Sequence, residues 1–283
     1  MNATDVSYRG PGRISFTPLL APNAVFITIF TILLLIHLLF AIRFWRFYGY
    51  AIGMLGGLLL ELLGYVAKIQ LAHHGDKNGY IMYIIGLTLG PTFVSSSLYL
   101  GISQLQRHFE TNCFPKVGPR LFTTFFILGD FAGLCFIGVG GSLAAIYADS
   151  PIGVDLMMAG LGTQVLVTVI FCVVLSILAH KWWRKLLRRG KKWYIVGALT
   201  AAVCLLIRSC WRAAELRGGF NGRLASKEGI FIALDSIPMV IMCVILTFMH
   251  PRFWFVRVEK QAQFMPTAIK VRWSEQVWKG CVS

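Results

Sequence analysis

Long unbroken apolar blocks alternate along the chain with short polar connectors. An apolar helix of about 20 residues, rising 1.5 Å per residue, covers about 30 Å of hydrocarbon. Seven blocks reach that length, at approximately 23–43, 47–70, 80–103, 121–147, 154–179, 192–215 and 229–249. Barrel strands are excluded, because such strands are shorter and alternate apolar with polar positions. The connectors HHGDKNG and RGGFNGRLASKEG predict loops. The pattern therefore predicts an all-α bundle of seven transmembrane helices. It divides the chain into an N-terminal segment 1–22, a membrane domain 23–249 and a basic tail 250–283.

Composition agrees with the pattern. Of 283 residues, 57% are hydrophobic and 14% charged, where soluble domains carry about a quarter charged. The net charge of +15 does not point to nucleic acid, because the basic residues lie between apolar blocks and form no binding face. Five of the seven cysteines fall inside apolar blocks and none forms a CxxC pair, so they read as small buried hydrophobes. The polar N-terminus lacks the form of a cleaved signal peptide, so the first block is expected to remain as an anchor.

Charge also predicts orientation. Six Lys and Arg flank the spans on the N-terminal side and 18 on the opposite side, seven of them in the HKWWRKLLRRGKK connector. Positive charge collects in the cytoplasm, so the N-terminus is expected outside and the tail inside. The sequon Asn2-Ala3-Thr4 then falls on the outer side, where glycosylation is chemically open. Tryptophans in the basic connector suit an interfacial anchor, and its charge suits anionic lipid.

Ionisable residues inside spans are costly and usually face the bundle interior with a partner. Glu61, Tyr65 and Lys68 share one face of span 2. Arg208, Arg212 and Glu215 repeat that spacing in span 6, and Glu228 and Asp235 lie at and below the mouth of span 7. All approach the predicted outer end. Four acids and three bases could meet there. They read either as an ion network holding helices in register or as a chamber for a charged headgroup, since arginine grips carboxylate and phosphate alike. Asp130 in span 4 is a candidate proton or substrate contact, and Gln164 in span 5 suits interhelical hydrogen bonding. His37 in span 1 suits a local hydrogen bond. Gly53 and Gly57, and Gly129 and Gly133, have the GxxxG spacing that lets helices approach closely. Gly140-Gly141 could loosen span 4, and Gly90-Pro91 and Pro238 predict kinks.

These residues resemble the fungal lipid-translocating exporters, the RTA-like proteins, over about residues 16–255. The resemblance is carried by Pro22-Asn23 and His37, by Glu61, Gly64, Tyr65 and Lys68 (lysine in the family's arginine place), and by Pro91 and Tyr99. It continues through Asp130, Gly140-Gly141 and Gly160-Leu161-x-x-Gln164. Its most specific part is IRxxWRxxE (207–215), GxxGxL (219–224), Glu228 and Asp235. Ile137 stands where the family has glutamine, and between Glu228 and Asp235, where the family usually has tyrosine, this chain has Phe231 and Ala233. The resemblance implies a seven-helix membrane protein that moves amphiphilic lipids or toxic small molecules, with a less polar substrate than is usual.

The leading expectation is thus export or translocation of an amphiphile across a membrane, expected to be the plasma membrane, by a protein that is not an enzyme and needs no cofactor. The chain carries no GxxxxGK[ST] phosphate loop, so any uphill movement would draw on an ion gradient. A seven-helix receptor or regulator of lipid asymmetry is the alternative. A retinal pigment is disfavoured, because span 7 has no lysine. A lipid-amide metal hydrolase using His37, His180 and His250 ranks lower, because these have no HxxxH spacing. The oligomeric state is left open by the sequence.

Overall fold

A computed structural model describes residues 20–44, 47–74, 77–108, 119–146, 152–188, 192–217, 228–251 and 254. Six long helices come first: α1 (Leu20–Arg43), α2 (Tyr48–His74), α3 (Lys77–His108), α4 (Pro119–Ile146), α5 (Ile152–Arg188) and α6 (Lys192–Arg217). The seventh span has three pieces: α7 (Glu228–Phe231), a π-helical turn (Ile232–Ser236) and α8 (Ile237–Phe248). Seven of these spans are long and apolar enough to cross a membrane, and no strand occurs among the described residues. The protein is an integral, multi-pass, seven-helix membrane protein.

The described helices overrun several expected boundaries. HHGDKNG is mostly helical, because α2 continues to His74 and α3 starts at Lys77. The basic connector is also largely helix, since α5 extends to Arg188. Its Trp, Lys, Leu and Arg residues sustain a helix, and no glycine or proline intervenes before Gly190. At 37 residues α5 is about 55 Å long, well over the hydrocarbon thickness, so it projects beyond the bilayer.

Glycine sets how the spans pair. A Cβ on Gly57 would lie 2.8 Å from the Gly90 carbonyl, and one on Gly86 2.7 Å from the Leu60 carbonyl, so α2 and α3 touch backbone to backbone. In α4 and α5, Gly140 lies against the Met157 amide and Gly160 against the Gly133 carbonyl. Gly140-Gly141 therefore closes an interhelical contact, and α4 runs unbroken through it. Gly129 and Gly133 face the side chains of Val167 and Gln164. Large exposed side chains such as Leu39, Phe125, Val173 and Phe248 point outward, as a lipid-facing surface requires. The five described cysteines are free thiols, and the expectation that they are buried holds for Cys204 and Cys243 but not for Cys135 and Cys210, which are exposed on outward helix faces.

The prolines act locally. α3 runs as one helix through Pro91. Proline has no N–H, so the carbonyl four residues back, on Leu87, loses its helical partner. At the seventh span the Ile237 N–H bonds the Ile232 carbonyl, five residues back, and this closes the π turn just before Pro238. Both features face the polar interior described next.

Candidate functional site

Arg208 is the centre of the buried polar cluster. It is 1% exposed and touches three other spans. Its Nη2 donates to Glu61 Oε1 on α2 at 2.7 Å and to the freed Leu87 carbonyl on α3 at 2.7 Å. Its Nη1 donates to the Asp235 carbonyl in the π turn at 3.2 Å. Its Nε lies 3.5 Å from Asp235 Oδ1 without forming a hydrogen bond. The proline in α3 thus supplies a backbone oxygen that a regular helix would have kept for itself, and the π turn presents the Asp235 carbonyl to the same guanidinium.

One turn further along α6, Arg212 grips both oxygens of the wholly buried Asp235, with Nε at 2.9 Å and Nη2 at 3.4 Å. Its Nη1 donates to Glu215 Oε2 at 3.0 Å. The Arg212 and Glu215 side chains are each 14% exposed, whereas Arg208 and Glu61 are sealed. Lys68, also buried, places Nζ 4.0 Å from the centre of the Phe231 ring, and the Arg212 guanidinium lies 5.3 Å from the same ring. Phe231 offers two cations its negative face, which does not require the hydroxyl of a tyrosine.

Tyr65 completes the α2 stripe. Its hydroxyl donates to Ser236 Oγ at 2.6 Å, and its ring stacks between Phe26 and Phe30 of α1. Tyr65→Phe keeps the stacking and deletes the hydroxyl. It is expected to lower stability by about 1 kcal/mol in detergent unfolding. An unchanged midpoint would show that the hydrogen bond contributes nothing to the α2–seventh-span contact.

The remaining candidates lie deeper. Asp130 on α4 is 5% exposed. Tyr99 donates to its Oδ2 at 3.0 Å, and Ser95 Oγ lies 2.7 Å from the same oxygen. A crevice of about 30 Å³ runs between α3, α4, α5 and α6, and its lining includes Asp130, Gln164, Arg208 and Arg212. That volume suits a group about the size of one water, so a larger headgroup needs the helices to part.

Ten residues were singled out from sequence for this site. Glu61, Tyr65, Lys68, Arg208, Arg212, Glu215 and Asp235 come together in one cluster, with Asp130 and Gln164 in the adjoining crevice. The side chain of Glu228 lies outside the described residues, as does Asn2. Sequence reading missed Leu87, Ser95, Tyr99 as an Asp130 partner, and Ser236. For Leu87 a signal was present, because proline at 91 marks the carbonyl at 87 as available. His37 makes a local bond to the Leu33 carbonyl at 3.0 Å. His250 packs among the rings of Phe40, Phe44, Phe47 and Tyr50. Among the described residues no group of three His, Cys, Asp or Glu could hold a metal ion.

Fold and site together define a seven-span membrane protein with a salt-bridged polar cluster sealed between its helices. The chain belongs to the RTA1-like protein family, whose model matches residues 54–257. It is similar to the sphingoid long-chain base transporter RSB1 of Saccharomyces cerevisiae (strain Lalvin EC1118), at 28% identity over 280 residues, covering 84% of this chain and 73% of that protein. It is also similar to protoporphyrin uptake protein 1 of Saccharomyces cerevisiae (strain ATCC 204508 / S288c), at 26% identity over 198 residues, covering 66% and 64%. Protein RTM1 of Saccharomyces cerevisiae is 22% identical over 198 residues, covering 67% and 63%. No solved structure matches the chain.

Proposed function

We propose that this protein moves an amphiphilic lipid across the bilayer, and that the cluster around Arg212 together with the Asp130 crevice handles the headgroup. The observation that carries this reading is the juxtaposition of a buried ion network with a polar crevice that shares Arg208 and Arg212 with it. A purely structural network would have no need of a crevice beside it. Two relatives bear names that denote movement, one of sphingoid long-chain bases and one of protoporphyrin, which supports a carrier and not an enzyme.

The cluster divides naturally between two tasks. Arg208, Glu61 and the Leu87 carbonyl form its sealed part and hold α2, α3, α6 and the seventh span together. Arg212 and Glu215 form its reachable part, where a headgroup can exchange for a side-chain partner. An anionic group would displace Asp235 or Glu215 from Arg212, and a cationic one would take Glu215. Each exchange swaps one ionic hydrogen bond for another, which keeps the barrier low at membrane depth. The chain supplies no phosphate loop, so the movement follows a gradient of lipid or of ions and not ATP bound to this chain. We place the N-terminal segment 1–22 outside and the tail 250–283 in the cytoplasm on the charge bias, and the protein in the plasma membrane.

The test is reconstitution into liposomes with a labelled long-chain base, against protein-free liposomes, with and without a pH gradient. Arg212→Ala is expected to slow protein-dependent movement at least about tenfold while expression is retained, since a lost charged contact is worth more than 1.4 kcal/mol. Arg212→Lys keeps the charge without the fork and should fall between. Wild-type rates in Arg212→Ala would remove the headgroup role. A wild-type protein that moves no lipid would remove the carrier reading altogether.

A further inference from the structure

The charges gathered inside the bundle leave one position open. Among the described residues they comprise four carboxylates (Glu61, Asp130, Glu215 and Asp235) and three bases (Lys68, Arg208 and Arg212). Glu61, Glu215 and Asp235 are each paired with an arginine. Among the described residues the partners of Asp130 are hydroxyls, those of Ser95 and Tyr99, both at Oδ2, and Oδ1 takes part in neither contact. It lines the crevice all the same.

Ser95 stands between two acceptors. Its Oγ lies 2.7 Å from Asp130 Oδ2 and 2.8 Å from the Thr92 carbonyl, and a hydroxyl has a single proton to give. Two arrangements fit the same heavy atoms. With Asp130 ionised, Ser95 and Tyr99 both donate to Oδ2. With Asp130 protonated at Oδ2, the acid donates to Ser95 and Ser95 donates to Thr92. The carboxyl can therefore gain or lose a proton without any heavy atom moving, provided a cation replaces the proton, because an unpaired buried carboxylate is costly.

We propose that Asp130 is an exchange site at which one proton and the ammonium of a long-chain amine compete. This rests on the reading of the protein as a lipid carrier and names the headgroup class. The exchange balances simply: the O–H bond at Oδ2 breaks, the proton leaves to water, and an N–H of the ammonium bonds Oδ1 of the new carboxylate. Nothing is oxidised or reduced. The crevice volume of about 30 Å³ suits a group the size of one water, and an ammonium is about that size. Leu161 and Leu205 in the lining offer apolar contact to the carbons that follow, and the Gln164 amide, which has no partner among the described residues, suits a neighbouring hydroxyl. On α3, Ser95 and Tyr99 meet Asp130 itself, and Thr88 and Thr92 line the same crevice. From α5 the lining takes Gln164 and Thr168, with Cys172 near Tyr99. From α6 it takes Ser209 and the charged Arg208 and Arg212, whose charges are already met by Glu61, Asp235 and Glu215.

The experiment is calorimetric binding of a long-chain base to the purified protein in detergent. Runs in two buffers of different protonation enthalpy count protons released per amine bound, and the N-acetylated base serves as neutral control. Wild type is expected to release up to one proton per amine, to lose affinity about tenfold per pH unit on the acid side, and to ignore the neutral analogue. Asp130→Asn keeps an acceptor for Ser95 and Tyr99, and should release no proton, bind at least tenfold more weakly above the acid limb, and show no pH dependence of its own. Should that variant fail to fold, Asp130→Glu carries the test, and it should still release a proton. The proposal is overturned if Asp130→Asn releases protons as wild type does, if the neutral analogue binds equally, or if Asp130→Glu folds but releases none. Lipid movement in liposomes together with pH-flat binding overturns the exchange alone. No movement at any pH overturns the carrier reading, whatever the calorimetry gives.

Discussion

Arg208→Ala is expected to destabilise the fold by about 3–5 kcal/mol, the range for removing one partner of a buried ion pair. The loss is large because three acceptors on three spans depend on that guanidinium. Glu61 is affected most: it is fully buried, Arg208 is its ionic partner, and its Oε2 already has no hydrogen bond. Asp235 suffers less because Arg212 still grips it. The Leu87 carbonyl becomes an unsatisfied acceptor that Pro91 prevents its own helix from serving. A double variant separates these contributions. Adding Glu61→Gln removes the orphaned charge and should recover part of the loss, roughly 1–3 kcal/mol. Unfolding midpoints in SDS-containing mixed micelles would measure both. A single-variant loss below about 1 kcal/mol would mean that Glu61 and Asp235 do not need Arg208, and the division between sealed and reachable halves would fail.

The second large effect is expected at Gly86. A Cβ there would lie 2.7 Å from the Leu60 carbonyl oxygen, 2.8 Å from Gly64 Cα and 2.9 Å from Gly64 N. All three are backbone atoms, so no rotamer change can relieve the clash, and α2 must move away from α3. Gly86→Val should therefore reach or exceed the upper end of overpacking losses, about 3 kcal/mol. It should also disturb the cluster, because Glu61 on α2 and Leu87 on α3 meet Arg208 from the two sides of that seam. Gly162→Ala is the control. Nothing lies within 4 Å of a Cβ at that site, so its midpoint should stay within about 0.5 kcal/mol of wild type. Equal effects at the two positions would show that close backbone approach does not hold the pair.

Much of the architecture could be read from the chain because a bilayer allows few solutions. Backbone groups in hydrocarbon must bond within their own segment, so a long apolar run there has to be a helix. Helical spacing then put Glu61, Tyr65 and Lys68 on one face, and Arg208, Arg212 and Glu215 on another. Connectors were harder to read. HHGDKNG and the basic stretch after His180 are polar enough to suggest loops, yet polar residues outside the bilayer can continue a helix at no cost, and α2, α3 and α5 do so. Gly140-Gly141 likewise looked like a weak point and is a contact, because glycine loosens a lone helix but allows a packed pair to close.

The sequence by itself determined the seven spans, the bias of positive charge to one side, and the set of ionisable residues that could not be left facing lipid. Only the tertiary structure decided who meets whom: that Arg208 joins Glu61 to the Leu87 carbonyl and the π turn, that Arg212 takes Asp235, and that the hydroxyls of Ser95 and Tyr99 meet Asp130. The reason is that span and side follow from local chain chemistry, since each helix satisfies its own backbone. A salt bridge between residues 147 positions apart depends on how helices rotate and settle against one another, and glycine contacts on several spans together with the carbonyl that Pro91 frees fix that jointly.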